Sequence, residues 1–318
     1  MTEAPPPPTP MAEQAQAPNA APFRRLSFEL NGGAMAGIAF GPEAPPDIVF
    51  LHATGFNART YASMLSPLGE RFPVLALDAR GHGRTTLPPK LMGYTSWRRH
   101  RDDVIAVLEQ KAAHPVTLAG HSMGAVVAAR RPDLVAGLAL IEPVIMPAAL
   151  YALFELPLSP FIQRHTFPLA RGALRRRAHF ASREEAAAGF VGRGVFKTFP
   201  REVIDDYVGD GLIEDEKRGG FKLACAPKFE AATYCAQRHD PWAAFRRVSQ
   251  PLVMLRAEHH STVQAATAHR LAMLKPEARI ALVEGASHML PMERPDRARA
   301  AIETAALMSG RNWRDAVE

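Results

Sequence analysis

The first chemistry visible in this chain is a serine held between two glycines, Gly120-His121-Ser122-Met123-Gly124. An apolar run over residues 116–119 leads into it, and a small apolar stretch over 125–129 leads out. That context places the five residues where a strand turns sharply into a helix. A serine on such a turn projects its Oγ beyond the carboxyl edge of a sheet, and flanking glycines keep the crowded backbone free of side-chain clashes. The N–H of Met123, at the start of the following helix, points where negative charge develops on an attacked carbonyl. The chemistry implied is nucleophilic attack by Ser122, which requires a base to take its proton. Twelve histidines are available, and Cys225 and Cys235 are the only cysteines. Two cysteines give no disulfide framework and no metal-ligand spacing, and read as free thiols.

The elements that must position Ser122 follow from hydrophobic patterning. Short strand-like runs over 26–30 and 35–40 are joined by Asn31-Gly32-Gly33, a hairpin turn signal. Further apolar, β-rich runs lie at 48–51, 74–77, 116–119, 138–141, 252–255 and 280–283. Several are apolar throughout rather than alternating, as strands covered on both faces are. A helical pattern over 97–111 falls between two of them. This alternation predicts an α/β fold with a doubly wound, mostly parallel sheet of about eight strands. The rhythm breaks over 147–246, which is rich in Ala, Arg and Phe, is punctuated by Pro and Gly, and has no convincing buried strand. It reads as a helical cap inserted between core segments 22–146 and 247–318. Residues 1–21 are rich in Pro and Ala and lack an apolar signal-peptide region, so they read as a disordered leader, with Met11 an alternative start.

Three further stretches, together with the serine turn, resemble the α/β-hydrolase family over about residues 26–305. Leu51-His52-Ala53-Thr54-Gly55-Phe56-Asn57 is similar to the family's His-Gly oxyanion loop, with Ala53 where glycine is usual. The resemblance makes the Thr54 N–H the second oxyanion donor beside Met123. Asp78-Ala79-Arg80-Gly81-His82-Gly83 resembles a structural loop after the fourth strand. Gly285-Ala286-Ser287-His288 resembles the catalytic-histidine loop, which implies that His288 is the general base and acid. His52 and His82 then occupy structural positions, and His121 is the variable residue of the elbow, suited to packing or hydrogen bonding. The acid departs from the family pattern: 255–262 reads Leu-Arg-Ala-Glu-His-His-Ser-Thr, without the usual aspartate. Two strand-end carboxylates can serve, Glu142 after 138–141 and Glu258 after 252–255, with a slight preference for Glu142. Another departure is a helix after Ser122 about one turn shorter than usual, which would weaken catalysis if it disturbs the elbow.

The implied function is a serine hydrolase acting on a small carboxylic ester or related acyl compound, with no metal and no organic cofactor. Serine at the elbow sets it apart from the dehalogenases and epoxide hydrolases of the same fold, which place aspartate there. A ligand-binding protein without catalysis, or an acyltransferase using the same residues, remains open on sequence. The cap would set substrate choice. Leu150, Leu153, Phe154, Leu156, Leu158, Phe161, Ile162 and Phe167 suggest an apolar pocket roof, and the nearby arginines an anionic preference or a membrane surface. The net charge is +6, with 31 of the 38 basic residues arginine. No basic cluster is interleaved with aromatics, so nucleic acid is not expected as a partner. No apolar run is long enough to span a bilayer, so the protein is expected in the cytoplasm without stable membrane insertion.

Overall fold

The computed structural model describes residues 22–122, 130–156 and 159–310. The leader expected over 1–21, Met123 with the helix expected after it, and Leu158 lie outside the described residues, as does the Phe161 side chain.

The strands are β1 (Arg24–Leu30), β2 (Gly33–Phe40), β3 (Ile48–Leu51), β4 (Val74–Leu77), β5 (Val116–His121), β6 (Val135–Ile141), β7 (His179–Phe180), β8 (Leu212–Glu214), β9 (Phe221–Leu223), β10 (Leu252–Ala257) and β11 (Arg279–Val283). Eight of them form one sheet in the order β1-β2-β4-β3-β5-β6-β10-β11. The pairs β1–β2 and β2–β4 are antiparallel, and all pairs from β4 to β11 are parallel. The hairpin turn between β1 and β2 is tight because Gly32 takes φ 94°, a left-handed conformation open to glycine.

The continuous apolar runs have a direct structural cause. Successive side chains point to opposite faces of a strand, and both faces are covered. Ile48 and Phe50 of β3 pack with Tyr61, Leu65 and Ile302 on one face. Val49 and Leu51 pack with Val104, Val107 and Trp242 on the other. The helix Pro295–Met308 therefore covers one side, while Arg98–Lys111 and Pro241–Arg247 cover the other. Among the described residues no helix is long and apolar enough to cross a membrane.

Between β6 and β10 the chain departs from the expected all-helical pattern. Helices predominate, but β7, β9 and β8 form a small antiparallel sheet in that order. Strands of two or three residues are too short for alternation to register in sequence. The helix Arg201–Gly211 ties this segment to the body through ion pairs and a side-chain bond. Arg59 Nε donates to Asp206 at 2.9 Å, and Arg25 makes a bidentate pair with Asp210 at 2.8 and 3.0 Å. The Asn57 amide donates to the Tyr207 carbonyl at 2.9 Å.

Candidate active site

Sheet register brings the candidate residues to one edge. His121 pairs with Ile141, and Ile141 with Leu255. Ser122 and Glu142 are thus the first residues past the carboxyl ends of neighbouring strands, about 4.8 Å apart in the sheet. β3 lies beside β5, with Leu51 opposite Gly120, so Thr54 follows on the same edge. The loop after β11 carries His288 back across the ends of β10 and β6.

Ser122 and Glu142 share a backbone peculiarity. Their φ angles are 54° and 48°; with His260 at 50° they are the three non-glycine residues with positive φ among the described residues. Such conformations cost about 1–3 kcal/mol each and persist where surrounding structure imposes them. Here they lift two candidate side chains out of the line of their strands.

The Glu142 carboxylate is fully buried and its oxygens are fully engaged. Oε1 accepts from Ala257 N at 2.5 Å and Ser261 Oγ at 2.6 Å. Oε2 accepts from Thr262 N at 3.0 Å and faces His288 Nδ1 at 3.0 Å. Burial alone would raise the carboxyl pKa, but the bonds from His288, Ala257 and Ser261 outweigh it and hold the group below its ordinary value. An ionised carboxylate against Nδ1 fixes the proton there and leaves Nε2 of His288 as the basic nitrogen. Glu258 goes elsewhere. Its side chain is 45% exposed, and it accepts from Gly285 N at 2.8 Å, closing the turn that launches the histidine loop. Of the two candidate acids, Glu142 meets His288 and Glu258 does not.

Residues without a catalytic signature in the sequence hold the two loops together. Tyr61 OH accepts from Ala53 N at 3.2 Å and bonds His121 Nδ1 at 2.7 Å. His121 Nε2 donates to the His288 carbonyl at 2.8 Å, and the two rings lie with centroids 5.0 Å apart. Burial drives the His121 pKa well down, so the ring is neutral and its one proton is committed to that carbonyl. The loop after β3, the turn at Ser122 and the loop of His288 are thus linked by one chain of hydrogen bonds. Nothing in the local sequence around Tyr61 singles it out.

Thr54 is buried in a loop whose neighbouring N–H groups are each occupied. Ala53 N is on Tyr61, Gly55 N donates to His82 Nε2 at 3.0 Å, and Phe56 N donates to Ala53 O at 3.1 Å. His52 Nε2 accepts from Ala79 N at 2.9 Å while Nδ1 donates to Ala53 O at 2.7 Å. His52 and His82 therefore serve as neutral backbone crosslinks. Burial lowers their pKa values to about 4 and about 3.

The segment between β6 and β10 presses on this loop. Phe56 packs against Phe196, Phe199 and Tyr207 at centroid distances of 6.0, 5.9 and 5.7 Å. Arg176 Nη1 donates to Glu230 at 2.6 Å and Nη2 to Tyr207 OH at 2.8 Å, and this cluster abuts Gly55. The aromatic cover over the loop of Thr54 and Phe56 comes from residues 190–207. Of the apolar side chains expected as a roof, Leu150, Leu153, Leu156 and Ile162 instead face solvent, while Phe154 and Phe167 are half-buried. The helix Ala148–Phe154, which carries Leu150 and Leu153, turns Tyr151 inward in their place. Cys225 and Cys235 are buried free thiols. Among the described residues no three His, Cys, Asp or Glu side chains converge as a metal-ligand set.

Known proteins resemble the chain in both sequence and structure. The 2-(acetamidomethylene)succinate hydrolase of Mesorhizobium japonicum is 24% identical over 225 residues, 70% of this chain and 73% of that protein. An esterase of Mycobacterium tuberculosis is 33% identical over 147 residues, 45% of this chain and 46% of the esterase, so the match spans under half of that relative. The crystal structure of E-2-(acetamidomethylene)succinate hydrolase has a TM-score of 0.70 at 22% identity, over 89% of this chain and 98% of that one, a likeness of fold. The family model described as alpha/beta hydrolase family matches residues 48–301. That match begins at the first residue of β3 and runs into the final helix, taking in every parallel strand of the sheet: the chain belongs to the alpha/beta hydrolase family.

Proposed function

We propose that the protein is a serine hydrolase that cleaves a small carboxylic ester or related acyl compound through an acyl-enzyme on Ser122. The observation that carries this reading is the buried, ionised Glu142 held 3.0 Å from His288 Nδ1 beside a strained Ser122. In the proposed reaction His288 Nε2 takes the Ser122 proton as Oγ attacks the acyl carbon. The tetrahedral oxyanion is stabilised by the backbone N–H groups of Thr54 and Met123. His288 returns the proton to the leaving alcohol, and water repeats the sequence to release the acid. Residues 147–246 act as the cap that selects substrate. The hydrolase and esterase names of the relatives agree with this reaction class.

A fluorophosphonate probe tests the reading directly. Ser122 becomes modified in the wild-type protein, and labelling disappears in Ser122→Ala. Folded protein that does not label would overturn the proposal in favour of a ligand-binding role. Chromogenic esters of graded acyl length then report the size of the pocket.

A further inference from the structure

Fifteen large apolar side chains are exposed among the described residues, and six of them lie within 25 residues of one another. These are Leu150, Leu153, Leu156, Ile162, Leu169 and Leu174, with Leu153, Leu156, Ile162 and Leu169 each more than half exposed. Five of them are displayed by three successive helices, Ala148–Phe154, Ser159–Thr166 and Pro168–Leu174, and Leu156 follows the end of the first. Soluble proteins scatter exposed leucines singly, and a concentration of this kind marks a contact surface. The display is braced: Arg238 Nε donates to Phe154 O at 2.9 Å and its Nη2 to Leu156 O at 2.7 Å, fixing the end of the first helix.

The charges on the same helices have one sign. Between residues 148 and 183 the sequence holds six arginines and a single carboxylate, Glu155. Arg176 and Arg177 pair with carboxylates elsewhere, Glu230 and Glu185, and Arg183 donates to the Leu212 carbonyl at 3.2 Å. Arg164, Arg171 and Arg175 are exposed and form no ion pair among the described residues. In the helix Pro168–Leu174 the buried pair Ala170 and Ala173 faces inward, so the spacing of 3.6 residues per turn turns Arg171 outward, flanked by Leu169 and Leu174.

We propose that these three helices form a docking face for an anionic lipid surface. Apolar side chains that sink into the headgroup–acyl boundary, beside arginines that stay at the phosphates, are the combination such a surface selects. Charge argues against a second copy as occupant. A two-fold contact is self-complementary and would set the arginines of one protomer against those of the other. The inference does not depend on the reaction at Ser122.

Co-sedimentation of the full chain with vesicles tests it. Vesicles of phosphatidylglycerol and phosphatidylcholine in equal parts pull down the protein at low salt; phosphatidylcholine alone does not, and high salt weakens the binding. The double variant Leu153→Glu/Ile162→Glu binds at least about tenfold more weakly. So does the triple variant Arg164→Gln/Arg171→Gln/Arg175→Gln. Both keep the wild-type thermal midpoint, since every altered side chain is exposed. No binding to the anionic vesicles would overturn the proposal, as would wild-type binding by either variant. A concentration-dependent dimer dissolved by Leu153→Glu would reassign the face to self-association.

Discussion

Two bonds at His288 carry most of the consequences at the scale of single residues. Its Nδ1 faces a carboxylate buried among donors, and its carbonyl is held by His121. Glu142→Gln replaces an ionised acceptor with a neutral amide, so the imidazolium formed in the proposed reaction loses its counter-charge. Ester turnover is expected to fall at least about a hundredfold. Glu258→Gln keeps an oxygen for Gly285 N and leaves turnover within about threefold of wild type. Steady-state kinetics on one chromogenic ester checks both, and the reverse ranking would make Glu258 the acid. Tyr61→Phe removes the partner of Ala53 N and of His121 Nδ1 together. Each buried group left without a partner costs about 1–3 kcal/mol. A lower thermal midpoint is expected, with kcat reduced and KM nearly unchanged, because the proposed catalytic groups shift while the rest of the binding surface does not.

Elements matter here through what they press against the proposed oxyanion loop. Gly55 takes φ 83°, and an added Cβ would lie 2.7 Å from Glu230 Oε1, a carboxylate locked by Arg176. Gly55→Ala therefore has two sources of strain, the backbone conformation and the clash with a buried ion pair. The loop must move, and displacement of a catalytic group by about 1 Å can cost about a hundredfold in rate. The expected outcome is a loss of kcat/KM of more than about tenfold, larger than the modest fall in thermal midpoint. Kinetics and melting measured on the same preparation separate the two effects.

For the whole molecule, buried histidines set the pH dependence of stability. Burial lowers His52, His82, His100 and His239 from 6.5 to about 4, 3, 3 and 4. Unfolded, these rings take protons as pH falls through about 6.5; folded, they stay neutral to much lower pH. The unfolded state then binds more protons, and stability falls with pH across that window. Glu142, held below its ordinary value, adds a loss in the same direction at still lower pH. Asp78 opposes this: burial and the nearby Asp210 push it up to about 7, so it favours the folded state at low pH and loses that contribution as pH rises. Asp103 and Asp206, raised by burial, act in the same sense as Asp78. The four histidine shifts outweigh these, and the thermal midpoint is expected to drop steadily from pH 6.5 to pH 4. A flat midpoint over that interval would show that the histidines are protonated in the folded protein.

What the amino-acid sequence determined by itself was local. Eight strand-like runs match the eight strands of one sheet, and inner ones such as β3 and β4 are apolar throughout because a strand covered on both faces needs no polar positions. Gly120 and Gly124 around Ser122 are the sequence signal of a sharp turn, and Ser122 takes a φ of 54° in the structure. Strand ends at residues 142 and 258 offered two carboxylates, with only a slight local preference for Glu142. Tertiary structure decided between their surroundings: Glu142 lies 146 residues from His288 in sequence and 3.0 Å from it in space. The same holds for Tyr61, 60 residues from its partner His121. It holds again for Leu153 and Ile162, whose exposure depends on which face of their helices the neighbouring helix covers. Hydrophobic periodicity and turn sterics act over a few residues and are written in the sequence. Which side chains meet across loops is fixed only when the sheet sets the strand ends side by side.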